Sequence, residues 1–228
     1  MRAPVLALAC LAGCGVLARA EPPPDVLRES FDPGWRSRWS ERTLRRWAPA
    51  NRLDVETDAG DPAALRVESQ ASASALWRSL DVPAAAGLHL GWRWKVERSL
   101  SGNARERSRG GDDYAARILV GFERAVFDRD TRALCYVWAG QLPAGTELRS
   151  PYSANVATIV LESGDGRAGA WVSERRDLVA DFRRSFGRAP RRLSGIAIVV
   201  DTDDTGGRAR AWFDDLGLAS DGGTADRD

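Results

Sequence analysis

"LHLGWRWKVE", residues 88–97, decides the fold. Leu88, Leu90, Trp92, Trp94 and Val96 alternate with His89, Arg93, Lys95 and Glu97. An extended chain sends successive side chains to opposite faces, so this segment has one apolar and one ionic face. "DYAARILVGFE" (113–123) repeats the pattern: Tyr114, Ala116, Ile118, Val120 and Phe122 share one side, with Asp113, Arg117 and Glu123 on the other. Two such strands describe a sheet packed on a core and open to water or ligand. Working outward, further strands are expected at 64–69, 74–80, 133–139, 156–163, 169–175, 195–201 and 208–218. Each is short, rich in β-branched and aromatic residues, and bounded by Gly, Pro or Asp. Many short strands and almost no helical period predict an all-β, single-domain β-sandwich or jelly roll. One amphipathic helix is expected after Asp177, an N-cap residue, with Leu178, Phe182 and Phe186 four apart and a stop at Gly187.

The 228 residues suffice for one domain with a full core, assigned to 26–219. "MRAPVLALACLAGCGVLARA" (1–20) reads as an export leader: Arg2, an apolar run, and Ala18-Arg19-Ala20 as the cleavage site. "LAGC" (11–14) offers a lipoprotein reading, with signal 1–13 and Cys14 as the lipid-bearing terminus. Both readings stand, and both place the protein in the periplasm, outside the cell, or anchored by lipid to the envelope. Residues 21–25 are expected as a linker and 220–228 as a disordered tail. Cleavage after Ala20 leaves Cys135 as the single cysteine, which excludes an internal disulfide and reads as a small buried hydrophobe.

The formal charge of +1 falls to −1 when Arg2 and Arg19 leave with the leader, a balance that does not point to nucleic acid. His89 is the only histidine, and no G-x-S-x-G or zinc-ligand spacing occurs, so triad chemistry is unsupported. The acidic segments are the candidates that remain. "DTDDTGG" (201–207) resembles an EF-hand start but lacks the glutamate twelfth ligand; a turn capped by Asp and Thr is the favoured reading. "GGDDYAAR" (110–117) ends a polar loop at Asp112 and opens a strand at Asp113, with cross-strand pairing to Arg93 or Lys95 expected. A ligand is expected to meet Arg93, Lys95, Asp112, Asp113, Arg117, Asp201 and Asp203. A two-carboxylate glycosidase pair drawn from Asp112, Asp113, Asp201, Asp203 and Asp204 stays open. Of nine tryptophans, Trp92, Trp94 and Trp212 read as core, and one or two of Trp39, Trp47, Trp77, Trp138 and Trp171 as sugar platforms.

"WRWKV", "GDDYAARILVGF", "YVWAG", "RRDLVADFRRSFGRAP" and "GIAIVVDTDDTGGRARAWFDDLGL" together resemble an uncharacterised family of exported bacterial proteins, a domain of unknown function. The likeness runs from Phe31 to Leu218. Asp204 stands where the family more often has Asn, and Phe213 where Tyr is common. The family implies a β-sandwich and no established activity. The chain is also similar in pattern to carbohydrate-binding modules and concanavalin-like domains. In such modules a structural Ca²⁺ commonly ties the first and last strands. That resemblance implies Asp214 or Asp215 with Glu29 or Asp32 as metal ligands, against arginine partners as the alternative. The expected function is non-catalytic binding of a glycan or of the cell envelope. A polysaccharide hydrolase or lyase and a structural envelope protein without small ligand are the alternatives.

Overall fold

The computed structural model describes residues 25–57, 63–125 and 128–220. The leader with Cys14, most of the linker, and residues 221–228 of the tail lie outside them. Among the described residues, thirteen strands form two sheets and one α-helix follows the eleventh strand. The six-stranded sheet contains β1 (Asp25–Glu29), β3 (Arg52–Glu56), β4 (Ala64–Gln70), β6 (Leu88–Val96), β11 (Val172–Asp177) and β13 (Arg208–Ser220). Its order is β11-β6-β13-β4-β3, with β1 beside the end of β13. The seven-stranded sheet contains β2 (Ser40–Thr43), β5 (Ala73–Pro83), β7 (Ala116–Phe122), β8 (Arg132–Ala139), β9 (Glu147–Ser150), β10 (Ser153–Ser163) and β12 (Arg192–Asp201). Its order is β2-β5-β12-β7-β8-β10-β9, with β8 and β10 parallel.

The inner faces meet as the alternation requires. Leu88, Leu90, Trp92, Trp94 and Val96 of β6 are all buried, as are Ala116, Ile118, Val120 and Phe122 of β7. Rings interlock between the sheets: Trp92 lies 5.4 Å from Tyr136, and Trp94 6.0 Å from Trp138. Burying side chains of this size supplies roughly 1.5–3 kcal/mol each, the main force against chain entropy. The helix α1 (Leu178–Phe186) begins where expected. The Asp177 carboxylate accepts from the Val179 and Ala180 amides, and Gly187 closes the helix at φ +73°. Phe182 packs on Phe122 at 4.6 Å.

Four expectations change. The first concerns β6 and β7, which lie in opposite sheets, so Arg93 and Lys95 face away from Arg117 across the whole sandwich. Residues 113–115 precede β7 and belong to the loop that folds over its sheet. Trp212 points outward, because Ala211 and Phe213 take the inner positions of β13. Last, Asp25 starts β1 rather than ending a linker.

Candidate functional site

The outer face of the seven-stranded sheet is the unusual surface. By alternation it carries Arg117 and Leu119 from β7, Cys135 and Val137 from β8, Val156, Thr158 and Val160 from β10, and Val199 and Asp201 from β12. This face is largely apolar, so part of it must be covered. Loops do so at one end. Glu106 accepts the Gly140, Gln141 and Leu142 amides, at 2.5, 3.1 and 2.8 Å, which pins the 97–115 loop to the chain after β8. Asp113 accepts from the Thr205 amide (2.7 Å), the Thr205 hydroxyl (2.6 Å) and the Asp204 amide (3.3 Å), tying the same loop to the turn after β12. "DTDDTGG" is thus a turn, with Gly206 at φ +69°. Because it is held by Asp113, it delivers its remaining carboxylates to a fixed place.

Between these loops and the sheet lies a cavity of about 310 Å³. Leu44, Leu119, Val156 and Val199 contribute apolar surface; Arg45, Asp112, Arg117, Ser150, Tyr152, Thr158, Asp201, Asp203 and Asp204 contribute polar groups. Arg117 is the anchor. Its Nε and Nη2 donate to both oxygens of Asp201, at 3.0 and 2.6 Å, and it also donates to the Asp112 carbonyl. The Asp112 carboxylate is 3.6 Å from Nη1, and the Tyr114 ring lies 4.6 Å from the guanidinium. Burial opposes the charge on Arg117, but with Asp201 and Asp112 beside it the guanidinium stays protonated. The carboxylates bear the strain. Burial pushes Asp201 up to about 7, with Arg117 pulling it down and Asp113 and Asp112 adding repulsion. Burial also raises Asp112 and Asp203, the latter helped by Asp204 and Asp113. Cys135 lines the cavity, but burial lifts its thiol to about 12, so it offers no thiolate.

Arg45 and Tyr152 form the rim. The Arg45 guanidinium stacks 4.1 Å from the Tyr152 ring, reaches Asp203 at 3.5 Å, and lies 5.6 Å from Trp47. Trp47 is 77% exposed, the one tryptophan displayed to solvent among the described residues. Trp39 and Trp138 are core, and Trp77 is half-buried on this sheet's outer face beside Ala197. Neither Arg45 nor Tyr152 was evident in the sequence. An arginine among thirty-two and a tyrosine after "SP" carry no periodic signal; only the fold brings them to Asp203 and Asp204.

The other proposed residues go elsewhere. Arg93 and Lys95 lie on the outer face of the six-stranded sheet, among Trp171, Trp212 and Asp214. Arg93 stacks on Trp171 at 4.5 Å, and Lys95 sits 5.1 Å from Trp171 and 4.6 Å from Trp212. The carboxylates expected to hold Ca²⁺ have arginine partners. Arg93 reaches Asp214 at 2.7 Å and Asp215 at 3.2 Å. Glu29, fully buried, accepts from Arg38 twice (2.6 and 2.9 Å), Trp39 Nε1 (3.0 Å) and the Phe31 amide (3.0 Å), while Asp32 pairs with Arg38 at 2.9 Å. The first and last strands do pair, but arginines, not a convergent set of these four carboxylates, neutralise the charge. Among the described residues only Asp113, Asp201 and Asp203 bring ligand-type oxygens within 4.8 Å of one another. The oxygens of Asp113 and Asp201 are already committed to amide, hydroxyl and guanidinium donors.

A family model described as a protein of unknown function, DUF3047, matches residues 37–217. The chain belongs to that family. No curated protein matches it. Among solved structures, the DUF3047 chain is similar to a cellulose-induced protein, Cip1, at 10% identity and a TM-score of 0.51, covering 85% of this chain and 97% of that one. It is also similar to the family 11 carbohydrate-binding module of a Clostridium thermocellum cellulosomal cellulase (8% identity, TM-score 0.47, 88% and 96% covered). An adhesin domain of Lys-gingipain from Porphyromonas gingivalis aligns at 13% identity and a TM-score of 0.45, over 86% and 100%. At such identities the likeness to Cip1 is one of fold: the DUF3047 domain is a β-sandwich.

Proposed function

We propose that this protein binds a glycan in the cavity on the outer face of its seven-stranded sheet, without cleaving it. One observation carries the reading: an apolar floor of Leu119, Val156 and Val199 directly faces a wall of fixed carboxylates and hydroxyls. Sugars present apolar CH faces and dense hydroxyl donors, so they match such a mixed surface, with Tyr152 and exposed Trp47 as platforms at the rim. The experiment is calorimetric titration with a panel of neutral, amino and acidic oligosaccharides. Binding to at least one class, weakened about tenfold by Tyr152→Ala or Trp47→Ala, supports the proposal. No binding across the panel, or loss only on Trp171→Ala in the opposite face, refutes it.

A polysaccharide hydrolase or lyase is favoured by one observation, that Asp112, Asp203 and Asp204 line the same cavity as Asp201. Both its oxygens are held by Arg117, so proton transfer to a substrate would fall to Asp112, Asp203 or Asp204. Reducing-end and unsaturated-product assays on the same panel separate the two readings. From the leader expected at 1–20 we infer a protein that is periplasmic, secreted or lipid-anchored to the envelope, and the mass of the mature N-terminus tests this.

A further inference from the structure

The cavity is short of protons and of positive charge, and that deficit identifies a ligand class. Four carboxylates line it against two guanidiniums. Arg117 directs two of its donors at the oxygens of Asp201, and Arg45 lies against Asp203. Asp112 and Asp204 remain. Asp204 receives its side-chain hydrogen bonds from the Tyr152 hydroxyl, 2.8 and 2.9 Å from its two oxygens. That hydroxyl has one proton, and it also lies 2.7 Å from the Arg109 carbonyl. One proton therefore faces three acceptors. Asp112 is 5% exposed, and its Oδ2 accepts from Ser150 at 3.3 Å. Its Oδ1 is buried with no hydrogen-bond donor; the nearest cation, Arg117 Nη1, is 3.6 Å away, beyond hydrogen-bond reach. A buried acceptor without a donor is costly, and here the atom belongs to a residue that lines the cavity.

We propose that the cavity takes the primary ammonium group of an amino sugar, seated between Asp112 and Asp204, with the sugar ring over the apolar floor. An ammonium brings three donors and one positive charge to a site that lacks both. A divalent cation fits less well, because the oxygens of Asp113 and Asp201 that converge nearby are already occupied by protein donors. A neutral sugar would supply donors but leave the excess charge. This inference rests on the glycan reading above and deepens it.

The test is titration calorimetry at pH 6 with three tetrasaccharides of the same linkage: glucosamine, N-acetylglucosamine and glucose. The glucosamine oligomer should bind about tenfold or more tighter than the other two, the worth of a charge-assisted hydrogen bond. Asp204→Asn should abolish the preference, so that the variant binds the glucosamine and glucose oligomers equally; Asp112→Asn should do the same. Equal binding of all three sugars overturns the ammonium inference and leaves the glycan reading standing. Preference that survives in both Asn variants, or one-for-one competition by calcium, also overturns it. Binding of none refutes the glycan reading and this inference together.

Discussion

Replacing Arg117 with methionine should destabilise the protein more than any surface change, chiefly because it strands buried negative charge. The guanidinium is the one buried cation inside a shell containing Asp201 and Asp112, with Asp113 adding to the repulsion. Removing one partner of a buried pair costs about 3–5 kcal/mol, because the other charge has no water to return to. With a slope near 3 kcal/mol per molar urea for a domain of this size, the midpoint falls by about 1–1.7 M. Equilibrium urea unfolding at pH 8, read by tryptophan fluorescence, measures this where Asp201 of the unaltered protein is ionised. At pH 5.5 the deficit should shrink, because Asp201 carries a proton there and leaves less unbalanced charge. Arg117→Met with Asp201→Leu removes both charges and should recover at least half the loss, a coupling of about 2 kcal/mol. If Arg117→Met costs under about 1 kcal/mol, or the double variant is as weak as the two single effects summed, the buried-pair reasoning fails.

Three further outcomes follow from the same geometry. Asp201 has its folded value raised to about 7, so its contribution is complete below the unfolded value near 3.8 and is lost as pH rises through about 7; Asp201→Asn should flatten that part of a stability-against-pH curve. Burial pushes Glu29 up, but its Arg38 and Trp39 bonds outweigh burial and lower it, so its contribution holds above about 4.5 and is lost as pH falls. Glu29→Gln should therefore cost stability at pH 7, and the cost should shrink as pH falls below about 4.5, measured by urea midpoints. Gly140→Ala would drive its new Cβ into the Leu100 carbonyl, so it should lower the thermal midpoint by several degrees, checked by calorimetry.

The central strands were legible because each lies between neighbours and buries one face. β6 follows the two-residue period along its whole length, and β4, β5, β8, β10, β12 and β13 emerge within a few residues of the sequence reading. β1, β2, β3 and β9 were missed. "DVLRE", "SERT", "RLDVE" and "ELRS" are short, charged and weakly alternating. β2, β3 and β9 close sheet edges, where charge prevents further strand addition and also erases the apolar period. The acidic segments were legible as candidates but not as a site. Nothing local links Asp112 to Asp201; the register of Arg117 against Val199 does, through β7 and β12. Assigning Arg93 and Arg117 to one face failed because the two-residue period states which side chains share a strand face, not which sheet the strand joins.

The most direct test of the binding surface is chemical-shift mapping with the tightest oligosaccharide of the panel. The account predicts perturbations confined to Arg45, Trp47, Asp112, Tyr152 and the 201–205 turn. Shifts centred instead on Arg93, Trp171 and Trp212 would place the ligand on the opposite sheet and contradict it.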